Sequence, residues 1–123
     1  MKITRFEDID AWKAARKLMN SIYEVTKSKA FVVDADLRRQ LRRAAVSAMS
    51  NIAEGFDAAS DAEFRRFLRI GRRSVSEVQS HLYVALDQAY LEAKLFKSLQ
   101  DESVETKRLM GGFIRYLDGR KKT

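Results

Sequence analysis

Nine arginines lie between Arg38 and Arg73, with no lysine and only four acids, Glu54, Asp57, Asp61 and Glu63. A guanidinium is planar and always charged, and its fork grips phosphate or carboxylate through two parallel hydrogen bonds. The chemistry implied is recognition of a polyanion, not the making or breaking of bonds. At helical spacing Arg65, Arg69 and Arg72 share a face, with Arg66 and Arg73 flanking it. Arg38 and Arg42 form a one-turn pair, with Arg39 adjacent. These side chains are the candidate contacts to the phosphates of a nucleic acid, tracking a backbone with little reading of its sequence. Two structural roles compete with that reading. Some of the arginines can pair with Asp57, Asp61 or Glu63, and others can bridge subunits through Asp101, Glu102 or Glu105. The aromatics among them, Phe64 and Phe67, read as core, so stacking on single-stranded bases is not supported.

Catalytic chemistry is poorly provided for. His81 is the only histidine. It stands four residues after Glu77, and no second histidine completes the paired Glu-x-x-His motif of a di-iron bundle. A helix histidine hydrogen-bonded to a neighbour is the more economical role. Ser47, Ser50, Ser60, Ser74 and Ser76 fall in no nucleophile elbow, and the glycines form no phosphate-cradling loop. Glu54 and Glu77 together suggest glycosidase chemistry only where a sugar cleft exists, which a slim bundle lacks. The expectation is a protein that is not an enzyme, with no metal and no cofactor.

Composition narrows the class further. A chain of 123 residues with a net charge of +7 fits one domain, residues 1–123, and a polyanionic partner. There is no cysteine, hence no disulfide and no sign of an oxidising compartment. No apolar run approaches the roughly 20 residues needed to span a bilayer, and the N-terminus lacks the apolar core of a secretory signal. A cytoplasmic protein, without a membrane partner, is the simplest expectation.

With no proline and five glycines, long uninterrupted helices can position these groups. Hydrophobic periodicity predicts four, at about 8–27, 35–54, 61–88 and 92–117. Phe31, Val32 and Val33 form a hydrophobic connector, Asp34 or Asp36 caps the second helix, and Gly55 supplies a left-handed terminator. Ser60 and Glu63 have capping-box spacing at the start of the third. That third helix is the longest and overhangs the second. In the fourth, Gly111-Gly112 implies a close backbone approach or a break. Short connectors make the fold class all-α, an antiparallel up-and-down four-helix bundle.

The second helix carries one stripe more than packing requires. Leu37, Leu41, Ala44 or Ala45, Ala48 and Ile52 form its apolar face, and Gln40, Arg43, Ser47, Asn51 and Glu54 recur at the same steps beside it. A buried polar network, a subunit interface or a ligand surface each accounts for the second stripe. The expected network joins Arg43, Asn51 and Glu54 with Ser74 and Glu77 of the third helix, since a buried charge needs a partner.

The run Gln40-Leu41-Arg42-Arg43-Ala44-Ala45, with Ser47 and then Asn51-Ile52-Ala53-Glu54-Gly55, resembles a bacterial four-helix-bundle family. Its members are proteins encoded by intervening sequences in large-subunit ribosomal RNA genes. Phe6, Ile9, Trp12, Ile22-Tyr23, Thr26, Glu63, Phe67-Leu68, Ser74 and Glu77 extend the likeness to about Ala89. Val32 stands near the place of a frequent proline, and Arg73 where a small residue is usual. Accessory proteins of diversity-generating retroelements are related to this family. The resemblance implies a ring-shaped homopentamer, no known enzymatic activity and, for some members, binding to nucleic acid and a reverse transcriptase. The leading expectation is therefore a non-enzymatic homo-oligomer that binds RNA or DNA through arginine–phosphate contacts as an accessory factor. The alternative is a structural or protein-interaction module whose arginines serve subunit contacts.

Overall fold

The computed structural model describes residues 2–120. Among them every regular element is helical. A 3-10 turn at Phe6–Asp8 leads into α1 (Asp10–Val25), the single turn α2 (Lys29–Val32), α3 (Ala35–Phe56), α4 (Asp61–Asp87) and α5 (Ala93–Asp118). The four long helices start and end within about two residues of the sequence-based bounds, the usual uncertainty of a helix terminus. In cyclic order α1 packs on α3, α3 on α4, α4 on α5 and α5 on α1. The backbones of the diagonal pairs stay apart, and the apolar stripes converge on one central core. Leu18, Ile22, Leu41, Ile52, Leu68, Leu82, Leu99 and Leu117 fill it, all essentially without solvent contact. None of the helices among the described residues is long and apolar enough to cross a membrane.

Local chemistry sets the boundaries. Asp34 Oδ1 accepts from the Leu37 amide at 3.1 Å and opens α3. Its other oxygen accepts from the Tyr90 hydroxyl at 3.2 Å, tying this corner to the α4–α5 turn. At α4 the Ser60 hydroxyl accepts from the Glu63 amide at 3.2 Å. The return half of the expected capping box does not form, because Arg66 Nε claims the Glu63 carboxylate at 2.7 Å. That pairing holds the Glu63 carboxyl below its ordinary value. The turn after α4 is a Schellman motif: the Tyr90 amide donates to Ala85 O at 2.8 Å and the Ala89 amide to Leu86 O at 3.0 Å. Ala89 takes the left-handed position, φ 64°, that glycine usually fills.

Three expectations change. Gly55 is not a left-handed terminator: no described glycine has positive φ, and α3 runs on to Phe56. The reason for a glycine is room, since a Cβ there would lie 2.6 Å from Phe64 Cδ1. The connector after α1 is mostly the helical turn α2, which buries Phe31 completely against Tyr90 while Val33 stays 81% exposed. Finally, α5 passes through Gly111-Gly112 unbroken.

Candidate functional site

The eight candidate arginines of α3 and α4 fall into two groups. Arg42, half-buried, is committed to the joint between α1 and α3. Its Nε donates to Thr26 Oγ1 at 2.8 Å, Nη2 to Tyr23 O at 3.3 Å, and the guanidinium lies 4.4 Å from the Tyr23 ring centre. Thr26 is wholly buried and itself donates to Ile22 O, so Arg42 completes a satisfied polar knot. Arg65, its side chain 17% exposed, bridges to Asp118 of α5 at 3.2 Å. Arg66 is held by Glu63 and covers the Phe67 ring at 4.8 Å, and Arg39 pairs with Asp36 one turn away. Arg38, Arg69, Arg72 and Arg73 form the second group. Among the described residues they have no carboxylate within 4.0 Å, and Arg69 and Arg73 are exposed on the outer face of α4.

The expected polar network takes a narrower form. Ser47 and Ser74 hydroxyls meet at 2.9 Å across the α3–α4 seam, and the Asn51 amide donates to Ser47 O and Oγ at 2.9 and 3.0 Å. Ser74 also donates back to Ile70 O at 3.3 Å. Asn51 and Ser74 are thus brought together through Ser47. Arg43 and Glu54 are exposed and join no network among the described residues, contrary to the burial that their pairing requires. They share a face of α3 but stand eleven residues apart, about 16 Å along the axis, beyond the reach of a direct pair. Glu77 is exposed as well and approaches His81 Nε2 at 3.3 Å, outside hydrogen-bond geometry. No group of three or more histidine, aspartate or glutamate side chains among the described residues is placed to hold a metal ion.

Sequence reasoning passed over two features. Lys13, Arg16, Lys17 and Asn20 line an open groove on the outer face of α1. Their three- and four-residue spacing is the signal for this face, which lies opposite the apolar stripe of the same helix. The second is Arg115, which reaches back over the Gly111-Gly112 step. Nothing in the sequence pairs it with Arg72, because that proximity exists only once α4 and α5 are packed.

The model of the 23S rRNA-intervening sequence protein family matches residues 7–112. The chain belongs to that family. The resemblance read from Gln40 to Gly55 is therefore confirmed. A solved structure from Bacteroides thetaiotaomicron VPI-5482, a protein of unknown function from the S23 ribosomal protein family, is similar with a TM-score of 0.77. The two are 21% identical over 85% of this chain and 97% of the other, which establishes a shared fold. No curated protein is significantly similar in sequence.

In this member of the intervening-sequence family the Asn51–Gly55 block is largely a packing device. Asn51 ties back to Ser47, Ile52 is wholly buried, and Gly55 admits the Phe64 ring. Glu54 alone faces outward. Arg73 is solvent-exposed and extends the basic face of α4.

Proposed function

We propose that this intervening-sequence family protein is a non-enzymatic homo-oligomer, assembled as a ring of five, that binds nucleic acid through phosphate contacts. The observation that carries the reading is that Arg38, Arg69, Arg72 and Arg73 have no carboxylate partner among the described residues, beside neighbours whose guanidiniums are already engaged. Guanidinium groups left without protein partners on a chain of net charge +7 favour a polyanion. RNA or DNA is bound with little base reading, and a reverse transcriptase is the protein partner suggested by the related retroelement accessory proteins.

Fluorescence anisotropy with labelled RNA and DNA duplexes across a salt series tests this. The wild type is expected to bind more weakly as salt rises. Changing Arg38, Arg69 and Arg73 together to glutamine flattens the log–log slope by about 0.9 per lost phosphate contact, whatever the sequence. Equal slopes for the two proteins, or no binding at low salt, defeat the reading.

A second reading rests on the exposed outer face of α3 and α4. Val46 (38% exposed) and Val84 (42% exposed) lie there, with Arg43 and Glu54 offering opposite charges. That combination suits contact with another copy of the chain. It predicts that Arg43→Glu reduces the assembly size in sedimentation while nucleic-acid affinity is negligible throughout.

A further inference from the structure

Two glycines in the middle of a helix are a poor choice for helix stability, yet α5 carries Gly111 and Gly112 without a kink or break. Close backbone packing does not explain them. The neighbours of an ideal Cβ on Gly111 are two guanidiniums, Arg72 Nη1 at 3.3 Å and Arg115 Nη1 at 3.6 Å. Arg115 Nη2 also lies 3.8 Å from the corresponding point on Gly112. Cations from two helices thus converge on one spot of bare backbone.

Their charge is not neutralised by any described residue. Among the described residues neither guanidinium has a carboxylate within 4.0 Å, and neither donates a hydrogen bond. The carboxylates of α5 are all occupied: Asp101 by Lys97, Glu102 by Ser21, Glu105 by Arg108 and Asp118 by Arg65. Across the adjoining cleft of about 370 Å³, Asp8 accepts from Thr4 and from the Arg5 amide, and Asp10 lies 3.9 Å from Lys13. Among the described residues, folding has brought two like charges together without supplying a counter-charge.

We infer that Arg72 and Arg115 form a seat for one phosphate group, held between their guanidinium forks above Gly111-Gly112. A carboxylate is satisfied by a single fork, whereas a phosphate offers further oxygens and a second negative charge for a second fork. The missing Cβ of Gly111, which is itself buried, lets both guanidiniums settle over the same stretch of backbone, so that one anion on their outer side can reach nitrogens of both. The seat stands on this geometry and does not rest on the nucleic-acid reading. Its occupant is free phosphate, a phosphate ester or a phosphodiester of a nucleic acid, all sharing this chemistry.

Two probes separate those sources: inorganic phosphate, by calorimetry and by melting against chloride at matched ionic strength, and a labelled polyuridine RNA, by anisotropy. Arg115→Gln is expected to weaken phosphate binding about tenfold, as loss of a charge-assisted hydrogen bond does. Gly111→Ala raises the melting temperature in chloride by several degrees through helix propensity, yet loses the further rise that phosphate gives the wild type. A variant that is stabler but blind to phosphate is not the signature of a merely structural glycine. If only RNA binding weakens in both variants, the occupant is a phosphodiester; if only phosphate binding does, it is free phosphate or a small ester. Either result supports the seat. Phosphate and RNA binding that are both absent, or both unchanged by the two variants, overturn it. RNA binding that persists unchanged with no phosphate binding removes the seat while leaving the nucleic-acid reading standing.

Discussion

The two seams of α4 are built on opposite principles. Toward α3 the contacts are short. Gly55 receives Phe64, a Cβ on Gly71 would lie 3.1 Å from Ala48 O, and a side-chain hydrogen bond across the seam joins two serines. Toward α5, beside the Phe64–Phe113 and Tyr83–Phe96 ring contacts, the polar contacts run through long side chains: Arg65 to Asp118, Lys107 to Ser76 and Gln79, Gln100 to Gln79 O, and Arg72 over Gly111. Small residues let the α3–α4 backbones approach, which excludes water but leaves no slack. Long side chains span a wider seam whose polar ends stay within reach of solvent. The first seam is therefore where the fold is specified, and the second is where charge can be presented to a ligand.

Glycine substitutions break this contrast most directly, because the same change should have opposite signs on the two sides. Gly55→Ala drives a methyl into the Phe64 ring and the Phe67 Cβ, and is expected to cost about 1–3 kcal/mol in urea denaturation. Gly111→Ala meets only the flexible ends of Arg72 and Arg115, and is expected to gain up to about 1 kcal/mol. Two losses, or two gains, would dissolve the distinction.

Next in size is the serine pair. Ser47→Ala leaves Asn51 and Ser74 short of a partner in the tight seam, at a cost of about 1 kcal/mol. A double-mutant cycle with Ser74→Ala should show the two losses to be non-additive. Strict additivity would mean that the hydroxyls do not communicate.

On the α5 side Arg65→Gln removes a pair of which Asp118 is half-exposed, so the loss should be only about 0.5–1 kcal/mol and should shrink further in high salt. A larger, salt-independent loss would make this seam as unforgiving as the other. Smallest of all is Glu54→Ala. Within the protomer this exposed side chain pairs with nothing among the described residues, so thermal melting should move by less than about 0.5 kcal/mol equivalent. A substantial loss that depends on protein concentration would instead place Glu54 in a contact between subunits.

Much of the fold was legible because helix period, capping and breaker chemistry are local. Leu37, Leu41, Ala48 and Ile52 declared their face by spacing alone, and Asp34 and Ser60 declared the helix starts. Gly55 was misread because glycine carries the same letter whether it ends a helix or admits a ring. The deciding fact, Phe64 pressing from the next helix, is not local. The same holds for the arginines. Their number and spacing identify a basic face, but Arg42 and Arg72 look alike until Thr26 and Tyr23 claim the first, and Gly111 lies beneath the second.

The sequence by itself determined the all-helical character, the positions of the long helices, the excess of arginine and the family signature. All of these follow from residue type at short range. Only the tertiary structure decided which arginines remain without protein partners, which of the polar stripe is bonded across a seam, and what the glycines make room for. The physical reason is that satisfaction of a charge or a close contact depends on a partner tens of residues away. Packing alone brings that partner within hydrogen-bonding distance.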